Sequence, residues 1–400
     1  MNAYRTLSSN FSWAVDRLDW PVTSEVGSGL SGVIATATRV SWLDPSSGSL
    51  EYRGVPIERL AGLHSFEEIA HLLITGRQAQ DDRPAYGLFL DQLRSSRKLP
   101  EDVISLVKSL DSGTHPTRIL RAGVSALGCH EMTQEDELSG ERHWRELRII
   151  AQVAALVAQI ARHRAGLPAF KFSAENDLAF ELLRAIQDRE PDPKDVSALN
   201  LLWVLFADHG LDAPTFTSMV VASTLADPYY NVVAGLSALH GHKLGGAGEN
   251  VLKQMLALKS PEDARLWVAT TIANGGRIAG FGHRLYHMPD PRVVLLRKEV
   301  AVQARRKGVA ELFDIARAVE DECLRQLAPR GIHVNINFYA ALLFHLLGVD
   351  GSLLPCFYMV GRMAGLMARV REALENPRLY RPLDRYVGHP ERRFDGEVAK

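Results

Sequence analysis

The sequence predicts a mainly α-helical fold with one small β-region near its start. The clearest helical segment covers residues 144–164, where Ile149, Val153 and Leu156 recur at the spacing of one helix face. Amphipathic segments of the same kind follow one another from about residue 65 to about residue 371. The chain is therefore expected to bury a large helical core.

The predicted β-region covers residues 29–53. Residues 32–36 mix glycine with β-branched side chains, and the proline-to-glycine segment at residues 45–48 is typical of a turn. We expect small strands joined by this turn, with residues 32–36 in one of them.

The sequence also predicts where two later helices begin. A polar, proline-containing stretch at residues 190–194 precedes an apolar helix predicted over residues 197–207. Asp227 and Pro228 are typical of an N-cap and a first-turn proline, and the helix that they begin is expected to end near Leu239. A glycine-rich segment follows that helix.

The composition is that of an ordinary globular protein. The 400 residues are 46% hydrophobic and 23% charged. The 46 basic and 47 acidic residues give a formal net charge of −1, whereas a nucleic-acid-binding protein normally has a basic excess. We therefore expect no nucleic-acid partner.

The three cysteines, Cys129, Cys323 and Cys356, form no CxxC or cysteine–histidine pattern. We expect buried reduced thiols, with neither a disulfide framework nor a bound metal. No uncharged apolar stretch approaches the ~20 residues of a membrane span, and charged residues interrupt the N-terminal segment where a signal peptide would lie. A cytoplasmic enzyme or binding protein without a membrane partner is the predicted class.

Four groups of residues carry side chains suited to a small anion. Glycines beside a histidine let the backbone approach a ligand and leave the imidazole accessible, and arginines pair with carboxylates through two hydrogen bonds. The groups are Asp208-His209, His240-Gly241-His242-Lys243-Leu244-Gly245-Gly246, Gly280-Phe281-Gly282-His283-Arg284 with Asp290-Pro291-Arg292, and Arg362 with Arg381. Each group alone has a structural explanation, as a hydrogen-bonding histidine, a turn or a solvated arginine. Together, their order favours a site for a molecule with two or three carboxylates.

In order and spacing, these groups resemble the citrate synthase and methylcitrate synthase family. The segments at residues 280–284 and 290–292 are the most specific match. Further matching segments are Gly29-Leu30-Ser31-Gly32-Val33, Leu50-Glu51-Tyr52-Arg53-Gly54, His115-Pro116, Ala207-Asp208-His209, Arg362-Met363-Ala364-Gly365 and Tyr386-Val387-Gly388. The resemblance covers residues 29–388.

The resemblance implies a two-domain helical subunit with the site in the cleft between the domains. The large helical domain would comprise residues 1–240 and 346–400, and the smaller helical domain residues 241–345. The cleft would close on the substrate and exclude water. The subunit would form a homodimer, or a heterodimer with an active paralogue.

The resemblance also implies the roles of five residues that are present. His209 and His283 match catalytic-site histidines that hold an oxaloacetate-like 2-oxo acid. Arg292, Arg362 and Arg381 match arginines that bind its carboxylates, and Arg381 would reach into the partner subunit's site. The substrate-binding half of the family's site is therefore expected to be complete.

Two catalytic positions depart from the family's pattern. Leu244 stands where the family has the histidine that stabilises the enol oxygen, and leucine has no hydrogen-bonding group. Asn337 stands where the family has the aspartate that removes the α-proton of the acyl-CoA, and an amide takes up no proton at neutral pH. Gly248 likewise replaces a family asparagine. General-base catalysis contributes ~10²–10⁴ in rate, so ordinary condensation is expected to be weakened.

Nearby residues leave alternatives open. His242 would replace the missing imidazole only with a two-residue shift, which the following glycines oppose; otherwise His240 and His242 are solvent-facing loop residues. Glu249 is a weaker candidate base. Lys243 and the run Arg305-Arg306-Lys307 are candidates to meet the phosphates of CoA, although a solvated helix face explains the run as well.

Two functions follow from the resemblance. The first is a citrate synthase-type acyltransferase of the tricarboxylic acid cycle, with a coenzyme A thioester as co-substrate, no bound cofactor and altered or weakened chemistry. The second is a non-catalytic paralogue that binds a metabolite or regulates an active subunit. The five retained ligand residues favour the first.

Overall fold

Helices account for 63% of the chain in the computed structural model, which describes residues 29–30, 32–130 and 144–383. The mainly α-helical class predicted from the sequence is therefore confirmed. The chain divides into two compact units, residues 1–38 and residues 39–400. The division into residues 1–240 with 346–400 and residues 241–345 stays a prediction.

A three-stranded antiparallel sheet begins the second unit. Its strands, in spatial order, are β1 (Ser41–Asp44), β2 (Ser49–Tyr52) and β3 (Val55–Pro56). The backbone N–H of Gly48 donates to the carbonyl oxygen of Asp44 at 2.9 Å, so the turn predicted at residues 45–48 is confirmed. Tyr52, at the end of β2, is fully buried, and its hydroxyl lies against Asp208.

Residues 32–36, in the first unit, do not form a strand, and that prediction is wrong. The N–H of Val33 donates to the carbonyl oxygen of Leu30 at 3.1 Å in a turn, and Val33 and Ile34 are exposed. β-branched side chains favour a strand where a neighbouring strand and a packed face complete it. Residues 32–36 have neither within the described part of their unit.

The helices of the second unit are numbered in chain order. The first seven are α1 (Phe66–Thr75), α2 (Arg83–Ser95), α3 (Glu101–Ser109), α4 (Pro116–Leu127), α5 (Trp144–Arg164), α6 (Leu178–Gln187) and α7 (Pro193–Phe206). The next eight are α8 (Ala213–Ala222), α9 (Pro228–Leu239), α10 (Gly246–Ala257), α11 (Pro261–Ala273), α12 (Pro291–Arg306), α13 (Ala310–Leu327), α14 (Ile336–Leu346) and α15 (Leu354–Glu375). Short 3₁₀ turns lie at Ile57–Arg59, Gly128–His130, Ala328–Arg330 and Gly351–Leu353.

Aspartate caps followed by proline begin several of these helices. The carboxylate of Asp227 accepts the N–H of Tyr229 at 2.6 Å, so the predicted start and end of α9 are confirmed. Asp192 caps α7 in the same way. That helix therefore begins at Pro193 rather than at residue 197, because proline at the first helical position needs no N–H partner.

Helix α15 lies at the centre of the second unit. It contacts α1, α4, α5, α7, α8 and α10, and its residues from Leu354 to Val370 are almost all buried. The segment Gly351–Glu375 is long and apolar enough to cross a membrane by length and composition, but 94% of its apolar window is buried inside the protein. That burial is the property of a core helix.

The cysteines agree only partly with expectation. Cys323 and Cys356 are buried free thiols, as predicted. Cys129 is exposed, because it lies in the 3₁₀ turn that follows α4 rather than on a packed helix face.

Candidate active site

The segment Asp208-His209 follows α7 and is held from two sides. The hydroxyl oxygen of Tyr52 lies 3.0 Å from the carbonyl oxygens of both Val204 and Asp208, so its one proton is available to either. On the other side, the N–H of Gly365 in α15 donates to the carbonyl oxygen of Ala207 at 2.9 Å. A Cβ on Gly365 would lie 2.3 Å from that oxygen, so only glycine allows α15 to approach this closely.

Asp208 is a structural anion beneath the site. Arg369 of α15 donates to its two carboxylate oxygens at 2.8 and 2.9 Å, and the hydroxyl of Ser41 donates to it at 2.5 Å. Burial favours the neutral acid, but the Arg369 guanidinium outweighs it and holds the pKa of Asp208 below its usual range. The backbone that carries His209 is therefore fixed by a charged pair.

His209 and His283 face each other across the site. Their ring centroids are 5.3 Å apart at an interplanar angle of 86°. The ring of Tyr286 stacks on His283 at 4.5 Å, and the Tyr286 hydroxyl lies 3.2 Å from Nε2 of His209. Tyr286 thus links the two histidines that the sequence predicted to act together.

The hydrogen bonds of His283 define its tautomer. Its Nδ1 accepts the N–H groups of Leu285 and Tyr286 at 3.0 Å each. A neutral imidazole whose Nδ1 accepts carries its proton on Nε2. His283 therefore presents an Nε2–H donor, which suits a ligand carbonyl oxygen.

Both histidines are held neutral. Desolvation, with the nearby Arg292, lowers the pKa of His283 to about 4. Desolvation followed by the charges of Arg292 and Arg362 lowers the pKa of His209 well below its ordinary value. Two neutral imidazoles among buried arginines offer hydrogen bonds without adding positive charge.

Arg292 begins α12 and is buried with its own counter-ion. Its Nε and Nη2 donate to Asp290 at 2.9 and 2.7 Å, and the N–H of Ile336 also donates to Asp290, at 3.2 Å. Burial opposes the charge on Asp290, but Arg292 holds its pKa below the usual range. This pair therefore also joins α12 to the first turn of α14.

Arg362 differs from Arg292 and Arg369 because a buried nitrogen of its guanidinium has no partner among the described residues. Its Nε and Nη2 donate to the hydroxyl of Tyr358 at 3.2 and 2.7 Å, and Nη2 lies 3.5 Å from a carboxylate oxygen of Asp212. Its Nη1 is buried and has no hydrogen-bond partner among the described residues. An unpaired buried guanidinium N–H is costly, and a ligand carboxylate would satisfy it.

Asn337 lies in the first turn of α14, beside the histidine loop. The N-cap Asn335 accepts the N–H of Asn337 at 3.0 Å and donates from its side chain to the carbonyl oxygen of Gly282 at 2.8 Å. Gly280, with φ of 81°, has no space for a Cβ, which would lie 2.8 Å from Phe338. The Gly280–His283 loop and the Asn337 turn therefore pack as one piece.

Leu244 and Arg381 lie on exposed parts of the chain. Leu244 is 38% exposed, in the turn between α9 and α10. Arg381 is exposed, and its Nη1 donates to the carbonyl oxygen of Pro382 at 3.0 Å. The described contacts bring together His209, His283, Arg292 and Arg362, but they do not place Arg381 with them. The role of Arg381 in a partner's site stays a prediction.

The basic run proposed to meet CoA phosphates has structural partners. Arg306 pairs with Asp192 and Asp195 at the start of α7, and Lys307 donates to Asp195 at 2.8 Å. These bonds connect the end of α12 to the start of α7. Arg306 and Lys307 are therefore engaged in contacts between helices, rather than in a nucleotide contact or on a solvated helix face. Lys243 is exposed on the Leu244 turn.

Sequence reasoning missed the residues that position the site. Five of them were not singled out as site residues: Tyr52, Tyr286, Tyr358, Asp212 and Arg369. They contact His209, Arg362 or the neighbouring Asp208 through tertiary packing. Asp208 and Asp290 were noticed only as neighbours of His209 and Arg292. An acidic side chain next to a predicted ligand-binding residue was the signal in the sequence that could have identified these two aspartates. No group of three metal-ligating side chains occurs among the described residues.

The chain is similar in sequence to known citrate synthases and 2-methylcitrate synthases. The family model described as "Citrate synthase, C-terminal domain" matches residues 29–383. A citrate synthase of Synechocystis sp. is 33% identical over 365 residues, covering 90% of each chain. A 2-methylcitrate synthase of Mycobacterium tuberculosis is 31% identical over 372 residues, covering 93% of each.

Solved structures are similar over nearly the whole chain. A citrate synthase from Thermoplasma acidophilum, in a ternary complex with carboxymethyl coenzyme A and oxaloacetate, matches with a TM-score of 0.85 and 26% identity. The match covers 93% of this chain and 98% of that one. A citrate synthase from Pyrobaculum aerophilum matches with a TM-score of 0.83 and 29% identity, covering 90% and 92%. The citrate synthase-like, two-domain fold class predicted from the sequence is confirmed.

Proposed function

Because the chain belongs to the citrate synthase family, we propose that it binds an oxaloacetate-like 2-oxo dicarboxylate and transfers an acyl group to it from a coenzyme A thioester. The acid–base groups of this reaction differ from those of the family, since Leu244 and Asn337 replace them. The reaction uses no resident cofactor. The working assembly is a dimer in the cytoplasm, in which Arg381 serves the partner subunit's site.

One observation carries the ligand half of this proposal. Among the residues that the structure describes, the buried Nη1 group of Arg362 has no hydrogen-bond partner, while its other nitrogens are held by Tyr358. A guanidinium fixed on one edge and unpaired on the other is arranged for a carboxylate, which accepts such N–H groups strongly. The Nε2–H of His283 then suits the 2-oxo oxygen.

The charges of the site favour a negatively charged ligand. Asp290 neutralises Arg292 and Asp208 neutralises Arg369, whereas Arg362 has only a 3.5 Å contact with Asp212. Both histidines are neutral because their pKa values are lowered. The unpaired positive charge is therefore concentrated on Arg362, where a carboxylate gains most from a desolvated partner.

A non-catalytic, metabolite-binding paralogue is the second candidate function. Leucine at residue 244 and asparagine at residue 337 favour it, since neither side chain can transfer a proton at neutral pH. It predicts ligand binding without turnover. The acyltransferase predicts release of free CoA from acetyl-CoA or propionyl-CoA in the presence of oxaloacetate.

Calorimetric titration with oxaloacetate tests the ligand, and Arg362→Leu tests the site. Truncating one partner of a buried charge pair costs about 2–5 kcal/mol, so the variant is expected to bind roughly 100-fold more weakly or worse. Arg265→Leu is the matched control, because Arg265 lies exposed on α11 beside Glu262. Unchanged affinity in a folded Arg362→Leu sample would refute the assignment.

A coupled assay of CoA thiol release, run on the same samples, separates the two candidate functions. Binding with turnover supports the acyltransferase. Binding without turnover of any acyl-CoA supports the non-catalytic paralogue, and absence of binding contradicts both.

A further inference from the structure

A second polar cluster lies beside Leu244, outside the 2-oxo acid site. The hydroxyl of Thr117 lies 2.8 Å from Nδ1 of His115 and 2.8 Å from Nδ1 of His240. Nε2 of His115 lies 3.1 Å from a carboxylate oxygen of Glu249. The cluster joins three helices, since His115 and Thr117 begin α4, His240 ends α9, and Glu249 lies in the first turn of α10.

The turn that carries Leu244 folds back on His240. The N–H of Gly245 donates to the carbonyl oxygen of Leu239 at 2.8 Å, and that of Leu244 donates to Gly241 at 2.9 Å. A Cβ on Gly245 would lie 3.6 Å from Cα of His240. His240 therefore belongs to the same tight turn as Leu244, although three residues lie between them. This turn also fixes the register and leaves His242 exposed.

The hydrogen bonds of the cluster all run in one direction, from His240 through Thr117 and His115 to Glu249. Nδ1 of His115 accepts the N–H of Thr117 at 3.4 Å, so it carries no proton and also accepts the Thr117 hydroxyl proton. That hydroxyl has only one proton, so Nδ1–H of His240 must donate to the Thr117 oxygen. Likewise, Nε2–H of His115 donates to Glu249, because a carboxylate only accepts. Nε2 of His240 is then an unprotonated base on an exposed imidazole.

We propose that His240 is the proton acceptor of this acyltransferase, and that Thr117, His115 and Glu249 position it and carry the proton onward. The proposal rests on the proposed function, because it supplies the base that Asn337 cannot provide. The substrate of this step is the α-carbon of an acyl thioester.

The step balances in protons and electrons. The α C–H bond of the acyl thioester breaks, its proton forms an N–H bond with Nε2 of His240, and its electron pair forms the enolate. The proton on Nδ1 of His240 passes to the Thr117 oxygen, the Thr117 hydroxyl proton passes to Nδ1 of His115, and the Nε2 proton of His115 passes to Glu249. Both imidazoles end neutral and Glu249 ends protonated, ready to return the proton along the same path.

The charges around His240 keep it in the form that this step needs. Desolvation is the main cause that lowers the pKa of His240 below its ordinary value, and the charges of Arg118 and Arg121 act in the same direction. Glu249 is the acidic group that faces the cluster, and it does so through His115. His240 is therefore unprotonated at neutral pH.

Exchange of the α-protons of acetyl-CoA or propionyl-CoA in deuterium oxide, followed by mass spectrometry, measures this step directly. (S)-Malate replaces oxaloacetate in the assay, because it has the two carboxylates but no carbonyl carbon for the enolate to attack. His240→Gln is expected to slow the exchange by ~10²–10⁴-fold, the usual contribution of a general base. His242→Gln, an exposed histidine of the same turn, is expected to leave the exchange unchanged.

Thr117→Val and Thr117→Ser test the positioning role. Valine removes the hydroxyl that links His240 to Glu249, so exchange slows and the acid limb of its pH profile moves to lower pH. Serine keeps the hydroxyl, so the exchange rate and the pH profile of Thr117→Ser are expected to match those of the wild type. Equal effects of valine and serine would mean that Thr117 only packs the helix start, and would overturn the relay.

The remaining outcomes distinguish this proposal from the proposed function. Wild-type exchange in His240→Gln, or an equal loss in His242→Gln, overturns the assignment of His240. A wild-type protein that binds oxaloacetate by calorimetry but exchanges no α-proton also overturns it, while the ligand site stands. Absence of oxaloacetate binding contradicts the proposed function itself.

Discussion

At the scale of single residues, the arginines of the candidate site differ in how far a carboxylate of the protein pairs with their charge. Arg369 and Arg292 each donate through two nitrogens to a buried aspartate. Such a pair positions the backbone around it, and its aspartate offsets part of the charge that a ligand would meet. Arg362 is held by the neutral hydroxyl of Tyr358 instead, so its charge remains available. The division between structural and ligand-binding arginines follows from their partners.

Removing the structural pair at Asp208 is expected to destabilise the fold strongly. Arg369→Met leaves a buried, uncompensated carboxylate, which costs about 3–5 kcal/mol. Arg265→Met breaks an exposed pair with Glu262 and is expected to cost less than about 1 kcal/mol. Urea unfolding of both variants measures the difference, and equal losses would show that the Asp208–Arg369 pair has no special role.

The depressed pKa of His283 makes stability depend on pH in a defined direction. The pKa is about 4 in the folded chain against an ordinary value of 6.5, so between these values the unfolded chain binds a proton that the folded chain refuses. The free energy of unfolding is therefore expected to fall as the pH falls from 6.5 towards 4, with no further loss from this group below that. His283→Gln, which cannot titrate, is expected to reduce the slope in urea unfolding at several pH values. An unchanged slope would contradict the burial of a neutral His283.

At the scale of secondary structure, the first turn of α14 connects the histidine loop to the arginines. Asn335 caps the helix and holds Gly282, while Ile336 donates to Asp290. Movement of this helix end would therefore displace Asn337, His283 and Arg292 together. Such coupling is what a catalytic turn requires, because small displacements of positioned groups are costly in rate.

Asn335→Ala separates capping from site geometry. Loss of the cap is expected to cost about 0.5–2 kcal/mol, and loss of the bond to Gly282 is expected to weaken oxaloacetate binding as well. Ser260→Ala removes a comparable cap, from Asp263 of α11, and is expected to change stability without changing binding. Calorimetry and urea unfolding of both variants check this, and intact binding in Asn335→Ala would be the contrary result.

Secondary structure was predictable where local chemistry decides it. The periodicity of α5 and the Asp227-Pro228 start of α9 gave correct helices because both signals lie within a few neighbouring residues. The run at residues 32–36 gave a wrong strand because a strand depends on a distant partner. For the same reason Tyr286 and Tyr358 were missed, since their contacts with His209 and Arg362 depend on tertiary packing. The retained histidines and arginines were found through motifs whose order in the chain is distinctive.

At the scale of the whole molecule, the chain has the fold of the citrate synthase family, and the proton-transferring groups that we propose for it differ from those that the resemblance implies for the family. Four residues meet in one cluster, namely His209 after α7, His283, Arg292 of α12 and Arg362 of α15. Leu244 lies on the turn before α10 and Asn337 in the first turn of α14, at the two positions that the sequence resemblance assigns to the family's acid–base pair. The His240 cluster lies on the first of these turns. Under the proposed function, the buried cluster around His209 binds the 2-oxo acid, while the reaction rate depends on groups particular to this chain.

The rate of CoA release from acetyl-CoA with oxaloacetate, compared between the wild type and Leu244→His with Asn337→Asp, tests this account most directly. A general base contributes ~10²–10⁴ and an enol-stabilising donor roughly 10²–10³, without simple multiplication. We expect the double variant to exceed the wild type by about 100-fold or more, with oxaloacetate affinity unchanged. A folded double variant that binds oxaloacetate but gains no condensation activity would contradict the account, because it would mean that the cleft no longer holds the two substrates in the family's arrangement.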